Sequence, residues 1–246
     1  MSSDRLQTRP FTCSRSAAGC RFRAMTRPRE FLELLDAGEH RALHEIGTTR
    51  RAARGEAVLS QGQVADKVIV VLRGRVKIVT STFSGDQALL SFRGPGALMG
   101  EQALLDGSPR SATVVALEPV EYLVVAASAF KAYVERRPRV AFELLAILSL
   151  RLRDSDRRLA QFVAADTLGR VSARLVELCE EHGEPGEDGA VVITLPLTQE
   201  ELASWTGSSL EATAKALRML RRLGWIATGR RAITVHDLDA LRERSA

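Results

Sequence analysis

Between Leu197 and Ile226, apolar positions recur at helical spacing in two short blocks divided by Gly207, the pattern of two helices joined by a tight turn. Thr198 with Glu201 three residues on has the form of a capping box, each side chain satisfying the other's backbone N–H. Leu202 and Trp205 continue the helix that it starts. Ser208 and Glu211 repeat that spacing and predict a second helix, with Leu217, Leu220 and Leu223 inward and Lys215, Arg218, Arg221 and Arg222 outward. This is the form of a helix-turn-helix, whose second helix lies in a major groove with its first turn against base edges. An ordinary helical hairpin is the alternative. Beyond it, Trp225 to Thr228 and Ala232 to Val235 flank Gly229-Arg230-Arg231, a hairpin with a cationic tip suited to phosphate contacts.

The first half of the chain is patterned differently. Phe31, Leu34, Leu35, Leu43 and Ile46 predict one or two short amphipathic helices. Runs rich in Val, Ile, Leu and Thr then predict strands over Ala57 to Leu59, Lys67 to Leu72, Val76 to Thr82, Ala88 to Phe92, Ala112 to Ala116 and Val120 to Val125. Glycine turns separate them, so an antiparallel sandwich or barrel is expected. Pro138 opens a helix predicted to run to about Ala165. Its Leu145, Leu148, Leu152, Ser155, Leu159 and Phe162 alternate in steps of three and four beside charged flanks. Such a narrow seam points to a second copy of the same helix and a two-fold homodimer; packing on its own domain is the alternative. A helix over Asp166 to Cys179 with Leu168, Val171, Leu175 and Leu178 buried, an acidic loop from His182 to Gly189 and a strand from Val191 to Leu195 complete the reading.

Composition narrows this picture. The chain has 246 residues, enough for two domains, and 35 Lys and Arg against 30 Asp and Glu give a net charge of +5. The cations gather in the second helix of the pair, at Arg230 and Arg231, and in the first fifty residues, which fits double-stranded DNA as partner. Three cysteines, Cys13, Cys20 and Cys179, are too few for a disulfide scaffold or a four-ligand metal site, and point to a reduced cytoplasmic setting without metal. No apolar run of about 18 residues occurs, so no membrane span is expected. The basic stretch 1–26 reads as a disordered tail, with Met25 as an alternative start. Paired metal-ligand histidines and a nucleophile with an evident base are missing, which argues against an enzyme.

The order of these parts resembles the catabolite activator and fumarate-nitrate regulator (CRP/FNR) family of bacterial transcription factors over about residues 27 to 244, and its sharpest motif is Gly100 to Val114, GEQALLDGSPRSATV. The resemblance implies an α+β fold: a disordered tail (1–26), a cyclic-nucleotide-binding β-roll of the double-stranded jelly-roll type (27–136), a dimerisation helix (137–165) and a winged helix-turn-helix (166–246). It also implies a phosphate-binding cassette in which Glu101 accepts from a ribose hydroxyl, Arg110 and Ser111 hold a cyclic phosphate, and Gly100 lets the main chain come close. A scaffold in which Glu101 simply pairs with Arg110 across the turn is the competing reading, giving a regulator without effector and with a vestigial pocket. The family's base-reading pair on the long helix falls on Ser155 and Asp156. Asp156, an acceptor only, suits the adjacent donors of guanine and keeps cyclic GMP and cyclic di-GMP beside cyclic AMP as candidate effectors. Thr198, Ser208, Ser209, Leu210, Glu211, Lys215, Arg218, Arg230 and Arg231 are the candidate DNA contacts. Leu210 stands where the family commonly has a guanine-reading arginine, so an altered palindromic operator is expected. RNA polymerase is the further partner that the resemblance implies, an iron–sulfur cluster lacks its cysteines, and a cyclic-nucleotide-processing enzyme is a distant alternative.

Overall fold

The structure, a computed structural model, describes residues 29–81, 87–229 and 232–245. Cys13, Cys20, the tail over 1–26, Thr82, Arg230 and Arg231 therefore lie outside the described residues. Helices α1 (Phe31–Leu34) and α2 (Ala37–Glu45) resolve the first amphipathic stretch into a pair. The break falls at Asp36, whose carboxylate caps α2 by accepting from the Gly38 and Glu39 N–H groups. Strands β1 (Gly47–Ala52), β2 (Ala57–Leu59), β3 (Lys67–Arg73), β4 (Val76–Ser81), β5 (Gln87–Arg93), β6 (Leu98–Met99), β7 (Thr113–Ala116) and β8 (Val120–Ala126) follow, with helix α3 (Glu101–Asp106) between β6 and β7. Among the described residues, β1, β8, β3 and β6 form one antiparallel sheet, and β2, β7, β4 and β5 form another, each in that order.

The apolar run of β3 follows from its surroundings, because it is covered on both faces. Ile69 and Val71 meet Leu59, Val76, Val114 and Ala116 of the opposite sheet, while Val68 and Val70 meet Phe31, Leu43, Phe130 and Val140 of the helical layer. That layer includes α4 (Ala127–Glu135) and the start of α5 (Pro138–Ala164). Pro138 sits in the first turn of α5, where its missing N–H costs no helical bond.

Helix α6 (Thr167–His182) is capped by Asp166, which accepts from Gly169 N at 2.8 Å. It runs three residues past the expected end. Strand β9 (Gly183–Pro185) and β10 (Val191–Ile193) follow, then α7 (Gln199–Thr206), α8 (Leu210–Arg222), β11 (Ile226–Gly229), β12 (Ala232–Val235) and α9 (Leu238–Ser245). The order β11, β12, β10, β9 makes a small antiparallel wing sheet against the helices. The core around Val171, Leu175, Leu178, Leu202, Leu217 and Leu220 does not stop at this domain. Val79, Leu89, Phe92 and Leu117 of the β-domain belong to it. No helix among the described residues is long and apolar enough to cross a membrane.

The seam of α5 lies open. Leu145, Leu152, Leu159 and Phe162 are exposed, with Leu152 at 63% and Leu159 at 65%. Leu148 is half-buried, and Val140, Leu144 and Ile147 on another side of the helix enter the β-domain core.

Candidate functional site

The chain reverses at Gly100 with φ +86, a left-handed conformation that favours glycine. A Cβ there would also stand 2.5 Å from Arg110 Nη1, so the cassette's arginine can approach only because position 100 lacks a side chain. Glu101 and Arg110 are both buried, at 3% and 4% exposure. They do not pair with each other. Glu101 Oε1 accepts from Arg151 Nη1 of α5 at 2.5 Å, while Arg110 Nη2 donates to Lys67 O at 2.7 Å and to Asp66 Oδ1 at 3.2 Å. Glu101 Oε2 and Arg110 Nε and Nη1 remain buried with no hydrogen-bond partner. Orphaned polar atoms of this kind are costly unless something polar fills the space beside them.

That space exists. Gly100, Glu101, Arg110, Ser111 and Ser155 line one cavity of about 260 Å³, with Arg93 of β5 and Arg151, Asp154 and Arg158 of α5. Asp156 does not line it. One residue past Ser155, it faces the exposed side of α5 that carries Leu152 and Leu159. Arg93, Arg151, Asp154 and Arg158 were missed in the sequence. For the three on α5 the signal was a polar stripe, three and four residues apart, flanking the seam. Arg93 Nη1 donates to its neighbour's carbonyl, Phe92 O, at 2.7 Å, and desolvation pulls its pKa down. Nearby Glu181 is pushed up to about 7, first by burial and then by the charge of Glu177. Among the described residues no group of three His, Cys, Asp or Glu is placed to hold a metal ion.

At the other end, the capping box is formed as expected: Thr198 Oγ1 accepts from Glu201 N at 3.1 Å and Thr198 N donates to Glu201 Oε2 at 2.9 Å. The second helix starts one residue later than the spacing of Ser208 and Glu211 predicts. Gly207 ends α7 at φ +58, the chain needs one more extended residue to re-enter a helix, and Ser209 is the cap, accepting from Ala212 N at 3.1 Å. Ser208 Oγ instead accepts from Arg170 Nη2 at 3.0 Å. Ser209, Leu210, Glu211, Lys215 and Arg218 are exposed along α8, opposite buried Leu217 and Leu220. Leu223, expected inward, is 48% exposed, because the helix ends at Arg222 and the chain turns away at Gly224 with φ +75. Arg221 Nη1 donates to Thr228 Oγ1 at 2.9 Å and ties the wing to the helix.

A β-roll with a buried Glu and Arg about a cavity, a long helix and a winged helix-turn-helix with an exposed cationic second helix define a DNA-binding regulator of the ligand-sensing type. Comparison with known proteins agrees: the cyclic nucleotide-binding domain matches residues 49–137 and the Crp-like helix-turn-helix domain residues 169–244. The CRP-like cAMP-activated global transcriptional regulator of Mycobacterium tuberculosis is 31% identical over 192 residues, covering 78% of this chain and 85% of that one. The cyclic AMP receptor protein of Thermus thermophilus is 30% identical over 190 residues, covering 77% and 84%. The chain belongs to the CRP/FNR family of transcription regulators, and it is not an enzyme. Among solved structures, a CRP/FNR-family regulator of Thermus thermophilus superposes with a TM-score of 0.67 at 28% identity, covering 80% of this chain and 98% of that one. The c-di-GMP-responsive regulator CLP of Xanthomonas campestris shares the fold, with a TM-score of 0.73 at 21% identity, covering 82% and 100%.

Proposed function

We propose that the chain works as a homodimer, joined along the α5 seam, whose DNA affinity is set by a purine 3′,5′-cyclic mononucleotide in the Glu101–Arg110 cavity. The observation that carries this reading is the set of buried, unpartnered atoms: Arg110 Nε and Nη1 suit phosphate oxygens, and Glu101 Oε2 suits a ribose hydroxyl. Ser111 adds a hydroxyl at the phosphate end and Ser155 one from α5. Volume favours a mononucleotide over a cyclic dinucleotide, since about 260 Å³ lies just below the range of about 300–1,000 Å³ usual for small-molecule sites. Cyclic AMP is the first candidate, because two relatives bear that nucleotide in their names. Asp156 shares the seam side with Leu152 and Leu159, and in the dimer it would meet the ligand held by the other copy, where guanine suits it better than adenine.

In this reading each copy presents Ser209, Leu210, Glu211, Lys215 and Arg218 to one half-site of a palindrome, with Arg230 and Arg231 on the flanking phosphates, in the cytoplasm and next to RNA polymerase. Thr198 and Ser208 are occupied by the caps and turn described above and serve chiefly to position α8. Calorimetric titration with cyclic AMP, cyclic GMP and cyclic di-GMP tests the reading. One of the two mononucleotides is expected to bind once per chain, and Arg110→Glu to abolish its heat. Silence from all three would leave a regulator that binds DNA without an effector.

A further inference from the structure

Arg158 lines the cavity and also touches the DNA-binding domain. Its Nη1 donates to Leu90 O at 2.7 Å, its Nη2 donates to Glu177 of α6, and its guanidinium lies 5.9 Å from the centroid of the Trp205 ring. Its Nε is buried without a partner. The Leu90 carbonyl, on a strand that walls the cavity, accepts as well from Trp205 Nε1 at 3.1 Å. One acceptor is thus shared between a cavity arginine and the first helix of the helix-turn-helix. Around it α7 is fastened to the β-domain. Ser204 Oγ accepts from Leu89 N at 3.1 Å and donates to Gln87 O at 2.9 Å, and Lys77 Nζ meets Glu201 Oε1 at 2.5 Å. The Trp205 ring stands edge-on to Phe92 at 5.2 Å.

We propose that Arg158 is a further contact for the cavity's ligand, and that its guanidinium, turning from the Leu90 carbonyl to an acceptor oxygen of the ligand, loosens α7 from β5. This rests on the nucleotide reading of the cavity and adds the residue through which binding reaches the DNA-binding domain. A guanidinium is a rigid planar fork, so it cannot swing toward the cavity and keep its present geometry on Leu90 and Trp205. Ligand binding and docking of α7 therefore oppose each other, and the opposition is reciprocal: whatever undocks α7 frees Arg158 and strengthens nucleotide binding through it. Arg158 can be removed without stranding a buried charge, because Glu177 also accepts from Arg174 Nη1.

The test uses the full chain. It has two tryptophans, so Trp225→Phe leaves Trp205 as the reporter. Acrylamide quenching of Trp205 is read with and without cyclic AMP and cyclic GMP, beside calorimetry on the same samples. Nucleotide is expected to raise quenching several-fold. Arg158→Met is expected to raise it without nucleotide, to bind nucleotide more weakly and to show no further response. Arg158→Lys, which keeps the charge but not the fork, should lie between. Nucleotide heat with an unmoved Trp205 overturns the inference and leaves the nucleotide reading standing, as does an Arg158→Met protein that quenches and binds like its parent. Absence of heat from both nucleotides overturns the nucleotide reading and Arg158's part in binding together, and the ligand-free comparison then decides whether Arg158 holds Trp205.

Discussion

Gly100 is required twice, by a φ of +86 and by the 2.5 Å at which any Cβ would meet Arg110 Nη1. Arg110 cannot withdraw, since Nη2 is held by the Lys67 carbonyl in a buried setting. Gly100→Ala is therefore expected to cost about 1–3 kcal/mol of stability through the strained backbone alone and to weaken nucleotide binding at least about tenfold. Thermal unfolding and calorimetry read the two effects separately. Glu181 makes a prediction in pH. Its ordinary value is 4.5 and burial raises it to about 7, so between these values the folded chain holds a proton that the unfolded chain has released. Its contribution is full below 4.5 and is lost as pH rises through about 7, beyond which folding has to bury a charge beside Glu177. Glu181→Gln should match its parent near pH 4 and exceed it at pH 8 by up to about 3 kcal/mol in urea unfolding. Equal stability of the two proteins at pH 8 would refute this.

At the scale of elements, helix α5 carries two stripes. One is polar, Arg151, Asp154, Ser155 and Arg158 against the cavity, and one is apolar, Leu145, Leu152 and Leu159, uncovered. The apolar stripe was legible in the sequence because its period is local. Of the polar one only Ser155 was named, through the family resemblance, because the meaning of the rest depends on Glu101, fifty residues away, and on Leu90. The same distinction explains the strands. β3 and β8 announce themselves by Val, Ile and Leu, but β1, Gly-Thr-Thr-Arg-Arg-Ala, has no alternation to read. It is an edge strand defined by pairing with β8 from Gly47↔Val125 to Ala52↔Val120. Since Leu152 and Leu159 are largely exposed on the single chain, a charge there should leave the monomer's fold intact and break only what covers them. Each leucine contributes about 1.5–3 kcal/mol of burial per copy in a dimer. Leu152→Glu with Leu159→Glu is expected to sediment as a monomer with a circular dichroism spectrum like its parent's. A dimer that survives both changes would place the subunit contact elsewhere.

Across the whole molecule, the two halves share a core that sequence periodicity could not reveal, since Phe92 meets Trp205 and Lys77 meets Glu201 only once both domains are folded. The docked arrangement nevertheless leaves α8 free along the side that carries Leu210, Glu211, Lys215 and Arg218, so DNA reading can be divided by residue. Leu210 and Glu211 open the helix, the part that reaches base edges. Leucine can pack on a thymine methyl and a carboxylate can accept from cytosine N4, each a sequence-dependent contact. Arg218 lies two turns further on, where a recognition helix passes the backbone, and in the proposed docking its expected contribution is to phosphate. Arg218→Ala, present twice in a dimer, is expected to lower the slope of log affinity against log salt by about 2, at about 0.9 per phosphate lost, and to weaken all duplexes alike. Leu210→Arg should instead leave the ranking of salt effects in place and shift preference toward guanine at one position of each half-site, by about 1–3 kcal/mol per base pair. Anisotropy titrations of a palindromic duplex and its single-base variants at several salt concentrations separate the two. If Arg218→Ala changed the base preference while its salt slope stayed that of the parent, α8 would sit in the groove in a different register from the one its exposed face implies.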